Sequence, residues 1–265
     1  MKLMEDEVDV FTDIQTLTAA AARRFAFLAS KAVEERGVFA VALSGGLTLG
    51  ALYQLMATDK TVRSEIPWSK VHFFFGDERH VPPGHPHSNF RMVSEAMFLN
   101  LRTEHLHIHR VLGELASACQ AAEEYEADLR GFFEPRGLLD EGFPRFDLAF
   151  LRMGHDGHTA SLFPNSSGLH ETARWVVSNW VEELKKDRIT MTFPVLNSAA
   201  EVILFVSGSG KASLVAEVLG QPVNGLKYPI QEVRPRNGIK RWMLDTNAAA
   251  GIGMRPNAWS GLSFQ

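Results

Sequence analysis

One cysteine, Cys119, is all the thiol this 265-residue chain carries, so no internal disulfide staples it and the fold must rest on burial. Cys119 falls in a helix-like stretch and is expected as a small buried apolar group rather than a nucleophile. No apolar run approaches membrane-spanning length. A basic surplus is missing too: the formal charge is −4 and the pI is near 6.2. That leaves no footprint for nucleic acid or an anionic membrane surface, and any anionic ligand must be held by a local cluster. The acidic opening residues, 1–8, contain no uninterrupted apolar stretch and do not read as a signal or transit peptide, so the cytoplasm is the expected compartment. Repeats, low-complexity segments and linkers are also lacking. Residues 1–265 are therefore expected as a single domain, with 45% hydrophobic residues supplying an ordinary core.

What is present is a series of short apolar runs separated by helix-length segments. Residues 13–35 carry Ile14, Leu17, Ala21, Phe25, Leu28 and Val33 at helical spacing, with Thr12 or Asp13 as cap and Gly37 as stop. Strand-like runs follow at 38–43, Val71–Phe75, Leu148–Leu151 and Glu201–Val206, with shorter ones at 175–179, 189–192 and 242–245. Helices are expected at 49–56, at 90–98 capped by Ser88 or Asn89, at 117–133, in a short piece over 194–200, and after Lys211 through Leu219. Residues 135–144 read as a connecting loop, and the tail from 251 to 265 carries no interpretable pattern. This alternation predicts an α/β fold built on a parallel, Rossmann-like sheet flanked by helices.

Four of the runs end in glycine-bearing polar loops: Ser44-Gly45-Gly46-Leu47-Thr48, Gly76-Asp77-Glu78-Arg79, Gly154-His155-Asp156-Gly157-His158, and Ser207-Gly208-Ser209-Gly210-Lys211. Right-handed crossovers carry successive strand ends to one edge of such a sheet, so the loops are expected to converge on one cleft. The Ser44 loop joins a strand to a helix, the arrangement that points backbone N–H groups at an anion. Arg79 offers a planar fork for phosphate or carboxylate, Asp77 an acceptor for a sugar hydroxyl, and Lys211 a second cation. Each has a plainer reading as a turn, a local ion pair or a solvated side chain.

Several chemistries are missing their signatures. The Ser44 loop lacks the G-x-G-x-x-G spacing of dinucleotide sites and the Lys-Ser/Thr of a Walker loop. Phe205 and Ala212 break the Walker pattern around Lys211, and no G-x-S-x-G elbow occurs. His105, His107 and His109 alternate as a half-exposed strand would, without carboxylate or cysteine partners at ligand spacing, so no metal site is expected there. The remaining set points to acid–base chemistry on a small phosphorylated substrate, with His158 as the proton-transfer group.

At these residues the chain resembles the 6-phosphogluconolactonase family. The likeness rests on Ser44-Gly45-Gly46-x-Thr48; on Asp77-Glu78-Arg79-x-Val81-Pro82 with Ser88-Asn89; on Gly154-x-Asp156-Gly157-His158-Thr159-Ala160-Ser161-Leu162-Phe163-Pro164; on Arg188-Ile189-Thr190; and on Gly208-x-x-Lys211-Ala212. It implies a fold shared with glucosamine-6-phosphate deaminase and hydrolysis of 6-phosphoglucono-δ-lactone to 6-phosphogluconate, in the oxidative pentose phosphate pathway. No metal or cofactor is implied, and the expected assembly is a monomer or weak homodimer. The implied catalytic residues are His158, as general base, and Asp77. The implied substrate and phosphate contacts are Ser44, Gly45, Gly46, Thr48, Arg79, Gly157, Arg188 and Lys211, with N–H groups around Gly157 and nearby cations facing the oxyanion. The family usually has glycine where Arg152 stands, proline or another residue at His155, and proline at Leu49. A deaminase of this fold would continue from the Asp-Gly-His core to a glutamate, whereas Ser161-Leu162-Phe163-Pro164 follows here. A sugar-phosphate-binding regulator without catalysis is the alternative from another class.

Overall fold

The computed structural model describes residues 6–101 and 105–256. In chain order the strands are β1 (Glu7–Phe11), β2 (Phe39–Leu43), β3 (Val71–Phe75), β4 (Asp77–Arg79), β5 (His107–Ile108), β6 (Leu139–Asp140), β7 (Phe143–Pro144), β8 (Leu148–Leu151), β9 (Val176–Val181), β10 (Lys186–Met191), β11 (Glu201–Val206) and β12 (Ile239–Asp245). The helices are α1 (Ile14–Arg36), α2 (Leu47–Thr58), α3 (Lys60–Glu65), α4 (Asn89–Val93), α5 (Leu99–Leu101), α6 (Ala118–Phe133), α7 (Phe193–Leu196) and α8 (Ala212–Gly220), with a π turn, Ser94–Phe98, joining α4 to α5.

Seven strands form a parallel sheet in the order β1-β12-β11-β8-β2-β3-β5. Strands β2, β8 and β11 are buried along their whole length, which is why they read as unbroken apolar runs rather than alternating ones. From β2 the chain moves outward through β3 to β5, and β8, β11 and β12 build the other half. The order thus reverses between β2 and β8, where open parallel sheets hold ligands. The loops after β11, β8, β2 and β3 are the four glycine-bearing loops, and these strands are consecutive neighbours, so the loops share the sheet's carboxyl edge. At the opposite edge, buried Glu201 accepts a forked pair from Arg24 of α1 (Nε–Oε1 3.0 Å, Nη2–Oε2 2.5 Å).

Helix α1 starts where the Asp13 side chain accepts from the Thr16 N–H and ends at Gly37, whose φ of 74° closes the helix in a left-handed turn. Helix α6, capped by Ser117, packs on β9 and β10 and is clamped to them by buried Glu126, which accepts from Arg130, Arg174 and the Trp175 and Val176 N–H groups. Among the described residues no helix is long and apolar enough to cross a membrane.

The structure corrects several expectations. Residues 7–11 form β1, pairing with β12 from the far end of the chain (Glu7 opposite Arg241), so no local pattern announces the strand. Asp77–Arg79, read as a charged loop, is a short strand that pairs antiparallel with β10, which pairs in turn with β9. The 135–144 connection holds the small β6–β7 hairpin. Cys119 is exposed, because α6 buries Ala118, Ala121, Ala122, Tyr125 and Leu129 and turns the next position outward. His107 stacks on His72 at 4.3 Å, while His109 lies 2.9 Å from Asp128 and 3.1 Å from His72, which accounts for the histidine-rich strand. The tail beyond residue 256 lies outside the described residues.

Candidate active site

A cleft of about 460 Å³ opens at the carboxyl edge, lined by Asp77, Arg79, Arg152, His155, Asp156, His158, Ser161, Phe163, Glu183, Leu184 and Arg188. Its floor is the turn after β8. Gly154 donates its N–H to the His158 carbonyl at 2.8 Å and folds the segment back on itself. A Cβ on Gly154 would collide with the His158 imidazole and stand 2.6 Å from Asp156 Oδ1, so only glycine lets the ring lie over this turn. The imidazole is held on two sides: Asp156 Oδ1 is 2.5 Å from Nδ1, and Phe163 stacks on the ring at 4.0 Å. Nε2 is buried and has no hydrogen-bond partner among the described residues. Burial raises the Asp156 carboxyl, but the bond from the His158 ring, its charge and its backbone N–H outweigh that and hold the carboxyl below its usual range.

Asp77 is buried, and Ser161 Oγ donates to its Oδ2 at 2.7 Å, tying the segment after β3 to the histidine turn. Between Thr159 and Ser161 the backbone passes through Ala160 at φ 47°, a left-handed conformation held by the Thr159–Leu162 bridge. Buried Asn89 donates Nδ2 to the Asp77 carbonyl at 2.8 Å and accepts from Arg79 Nη1, aiming the guanidinium. Glu78 points away from the cleft. Its carboxylate accepts from the N–H groups of Arg79, Asn89 and Phe90 and from Ser88 Oγ, which locks β4 to the start of α4, and burial raises its pKa despite those bonds.

Arg188 lies opposite Arg79 in the β4–β10 register. Burial and then the Arg79 charge push its guanidinium down, Asp77 and Glu78 oppose that, and an arginine stays charged regardless. Lys211 stands half-buried at the start of α8, lowered by burial and by Arg152, with Asp156 pulling the other way.

The expected residues thus fall into two groups. His158, Asp77, Arg79 and Arg188 line the cleft. Ser44, Gly45, Gly46, Thr48, Gly157 and Lys211 are not part of its lining, although Gly45 and Gly46 lie against the lining residues Arg79 and Arg152. Gly45 lies against Asn89 and 3.2 Å from Arg79 Nη1, measured from where a Cβ would sit, and Gly46 lies against Arg152. Ser44 is anchored through its carbonyl by Tyr53 Oη at 2.9 Å, its own Oγ buried without a partner among the described residues, and Thr48 sits half-buried in the first turn of α2. Gly157 is buried against Tyr228, with its N–H used inside the turn, 3.4 Å from the Gly154 carbonyl.

Sequence reasoning did not single out Asn89 and Ser161 as positioning groups, although both stand inside the quoted motifs. Glu183 and Leu184, from the β9–β10 turn, join the cleft with no signal in the sequence at all. Among the described residues no three His, Cys, Asp or Glu side chains gather as a metal-holding group. The arrangement supplies a carboxylate-held imidazole with a free nitrogen, beside several cations and few unengaged acids.

Comparison with known proteins gives the family. The chain is 35% identical over 254 residues to a 6-phosphogluconolactonase of Synechocystis sp., covering 96% of this chain and all of that one. It is 37% identical over 251 residues to the chloroplastic 6-phosphogluconolactonase 3 of Arabidopsis thaliana, covering 92% of this chain and 75% of the relative. Among solved structures it is similar to the 6-phosphogluconolactonase from Trypanosoma cruzi, with TM-score 0.80, 26% identity and coverage of 96% and 99%. The enzyme from Thermotoga maritima superposes with TM-score 0.73 at 28% identity, covering 91% of this chain and 100% of that one. Residues 12–242 match the family described as Glucosamine-6-phosphate isomerases/6-phosphogluconolactonase, and the chain belongs to that family.

Proposed function

We propose that the chain hydrolyses 6-phosphoglucono-1,5-lactone to 6-phosphogluconate, the ring-opening step of the oxidative pentose phosphate pathway. One observation supports this reading above the rest: an imidazole clamped through Nδ1 by Asp156 keeps Nε2 without a partner among the described residues, in a cation-lined cleft. The Asp156 carboxylate favours the tautomer with hydrogen on Nδ1, which leaves the Nε2 lone pair to take a proton. His158 removes a proton from water as its oxygen bonds to the lactone carbonyl carbon. The tetrahedral oxyanion collapses, the bond from that carbon to the ring oxygen breaks, and the imidazolium returns its proton to the departing oxygen. Arg188, beside Asp77, stabilises the developing negative charge. Asp77, steadied by Ser161, accepts from a sugar hydroxyl, and Arg79, Lys211 and the Ser44–Thr48 segment grip the phosphate.

A coupled assay with freshly generated lactone, corrected for spontaneous opening, tests the reading. The wild type is expected to accelerate hydrolysis, and His158→Ala to lose most of that acceleration while retaining 6-phosphogluconate binding. Unchanged turnover in His158→Ala removes the base. Deamination of glucosamine 6-phosphate, or tight sugar-phosphate binding without turnover, overturns the lactonase in favour of the isomerase-like or regulatory reading.

A further inference from the structure

Arg152 leaves β8 directly and lies across the start of α2. Its Cδ is 3.2 Å, and its Nε 3.7 Å, from the place a Cβ would take on Gly46, the residue that caps that helix at φ 119°. A helix start carries the positive end of the backbone dipole, so a guanidinium there is unfavourable by itself. Helix α2 has no side-chain cap, and no acidic residue falls in its first turn. Arg152 makes no ion pair or hydrogen bond among the described residues, yet its charge is felt both at Arg188 inside the cleft and at Lys211 at the start of α8. Directly ahead of the helix, Ser44 keeps a buried Oγ with no partner among the described residues. Cations and a helix start thus meet just behind the buried Ser44 hydroxyl, while the carboxylates that oppose their charge, Asp77, Glu78 and Asp156, are already engaged by Ser161, by the start of α4 and by His158.

We propose that Arg152 binds the substrate's phosphate dianion, closing a bridge of positive charge from Arg188 to Lys211 over the start of α2. This rests on the lactonase reading and adds to it a specificity residue at a position where the family likeness carries glycine. The dianion turns a mutually repelling set into a satisfied one. The guanidinium fork and the first-turn N–H groups then share the phosphate oxygens while the sugar ring extends toward His158.

The test compares wild type, Arg152→Gly and Arg152→Met, the last of which keeps an apolar stem over Gly46 and removes only the charge. Both variants are expected to raise KM for the phosphorylated lactone roughly ten- to a hundredfold, with kcat within about threefold, as loss of a charge-assisted contact predicts. The effect on unphosphorylated glucono-1,5-lactone is expected to be smaller. Thermal shift with inorganic phosphate gives an independent reading: phosphate stabilises the wild type, stabilises Arg152→Met less, and phosphate-free Arg152→Met melts no lower than wild type. An unchanged KM in Arg152→Met overturns the proposal, as does an undiminished phosphate shift. Absence of wild-type turnover sinks the lactonase reading instead, and the phosphate shift then judges Arg152 by itself.

Discussion

Asp156 Oδ1 lies 2.5 Å from His158 Nδ1 and 3.1 Å from the backbone nitrogen of the same residue, so one carboxylate oxygen fixes both the ring and the chain that carries it. Residues two apart point in different directions in a helix, and in a strand they share a face but stand about 7 Å apart. Here the turn between Gly154 and Gly157 folds tightly enough to make them meet.

Removing that oxygen isolates its contribution. Asp156→Ala is expected to lower kcat on the order of a hundredfold, with a smaller effect on KM, because the imidazole loses its orientation and its preferred tautomer. Steady-state kinetics on the lactone checks this, and an unaltered kcat takes the carboxylate out of the mechanism.

Gly154→Ala probes the space beneath the ring. The added methyl must displace the imidazole or the Asp156 carboxylate, so kcat is expected to fall about a hundredfold or more. Stability should drop by only roughly 1–3 kcal/mol, the ordinary cost of crowding a packed site. Thermal denaturation beside kinetics separates the two, and a normal kcat would mean that the turn tolerates a Cβ.

Arg79→Ala is expected chiefly to raise KM, since the guanidinium held by Asn89 grips the anionic substrate in both ground and transition states. A fall in kcat with KM unchanged would reassign Arg79 to charge that develops during reaction.

Glu126 supplies a pH-dependent tie between α6 and β9. Burial raises its carboxyl, but the bonds from Arg130, Val176, Arg174 and Trp175 outweigh that and bring the folded value below the ordinary 4.5. With the folded value depressed, the stabilisation is fully present above about pH 4.5 and is lost as pH falls through the lower folded value. Glu126→Gln should therefore melt lower than wild type at neutral pH, with the gap narrowing in acid. A gap that stays constant from pH 7 to about pH 3 would refute the ionic tie.

Much of the architecture was legible because buried parallel strands are local objects. The residues of β2, β8 and β11 announce themselves by apolar runs, and the glycine-rich breaks after them mark where the chain leaves the sheet. Helix caps at Asp13 and Ser88 were equally local, since a cap bonds backbone groups within one turn of itself. Elements whose partners lie far along the chain were not legible. Short, half-exposed β1 exists because β12 borders it, and β4 is a strand because β10 pairs with it.

The amino-acid sequence by itself determined the buried strands β2, β3, β8 and β11, the helices α1 and α6, the glycine-bearing turn after β8, and the family, for each of these rests on residue types at fixed short spacing. Only the tertiary structure decided that Asn89 aims Arg79, that Ser161 steadies Asp77, that Glu183 and Leu184 border the cleft, and that Arg152 rests on Gly46. These contacts depend on which strand ends become neighbours, and strand order is set by burial summed over the whole sheet rather than by any single stretch of it.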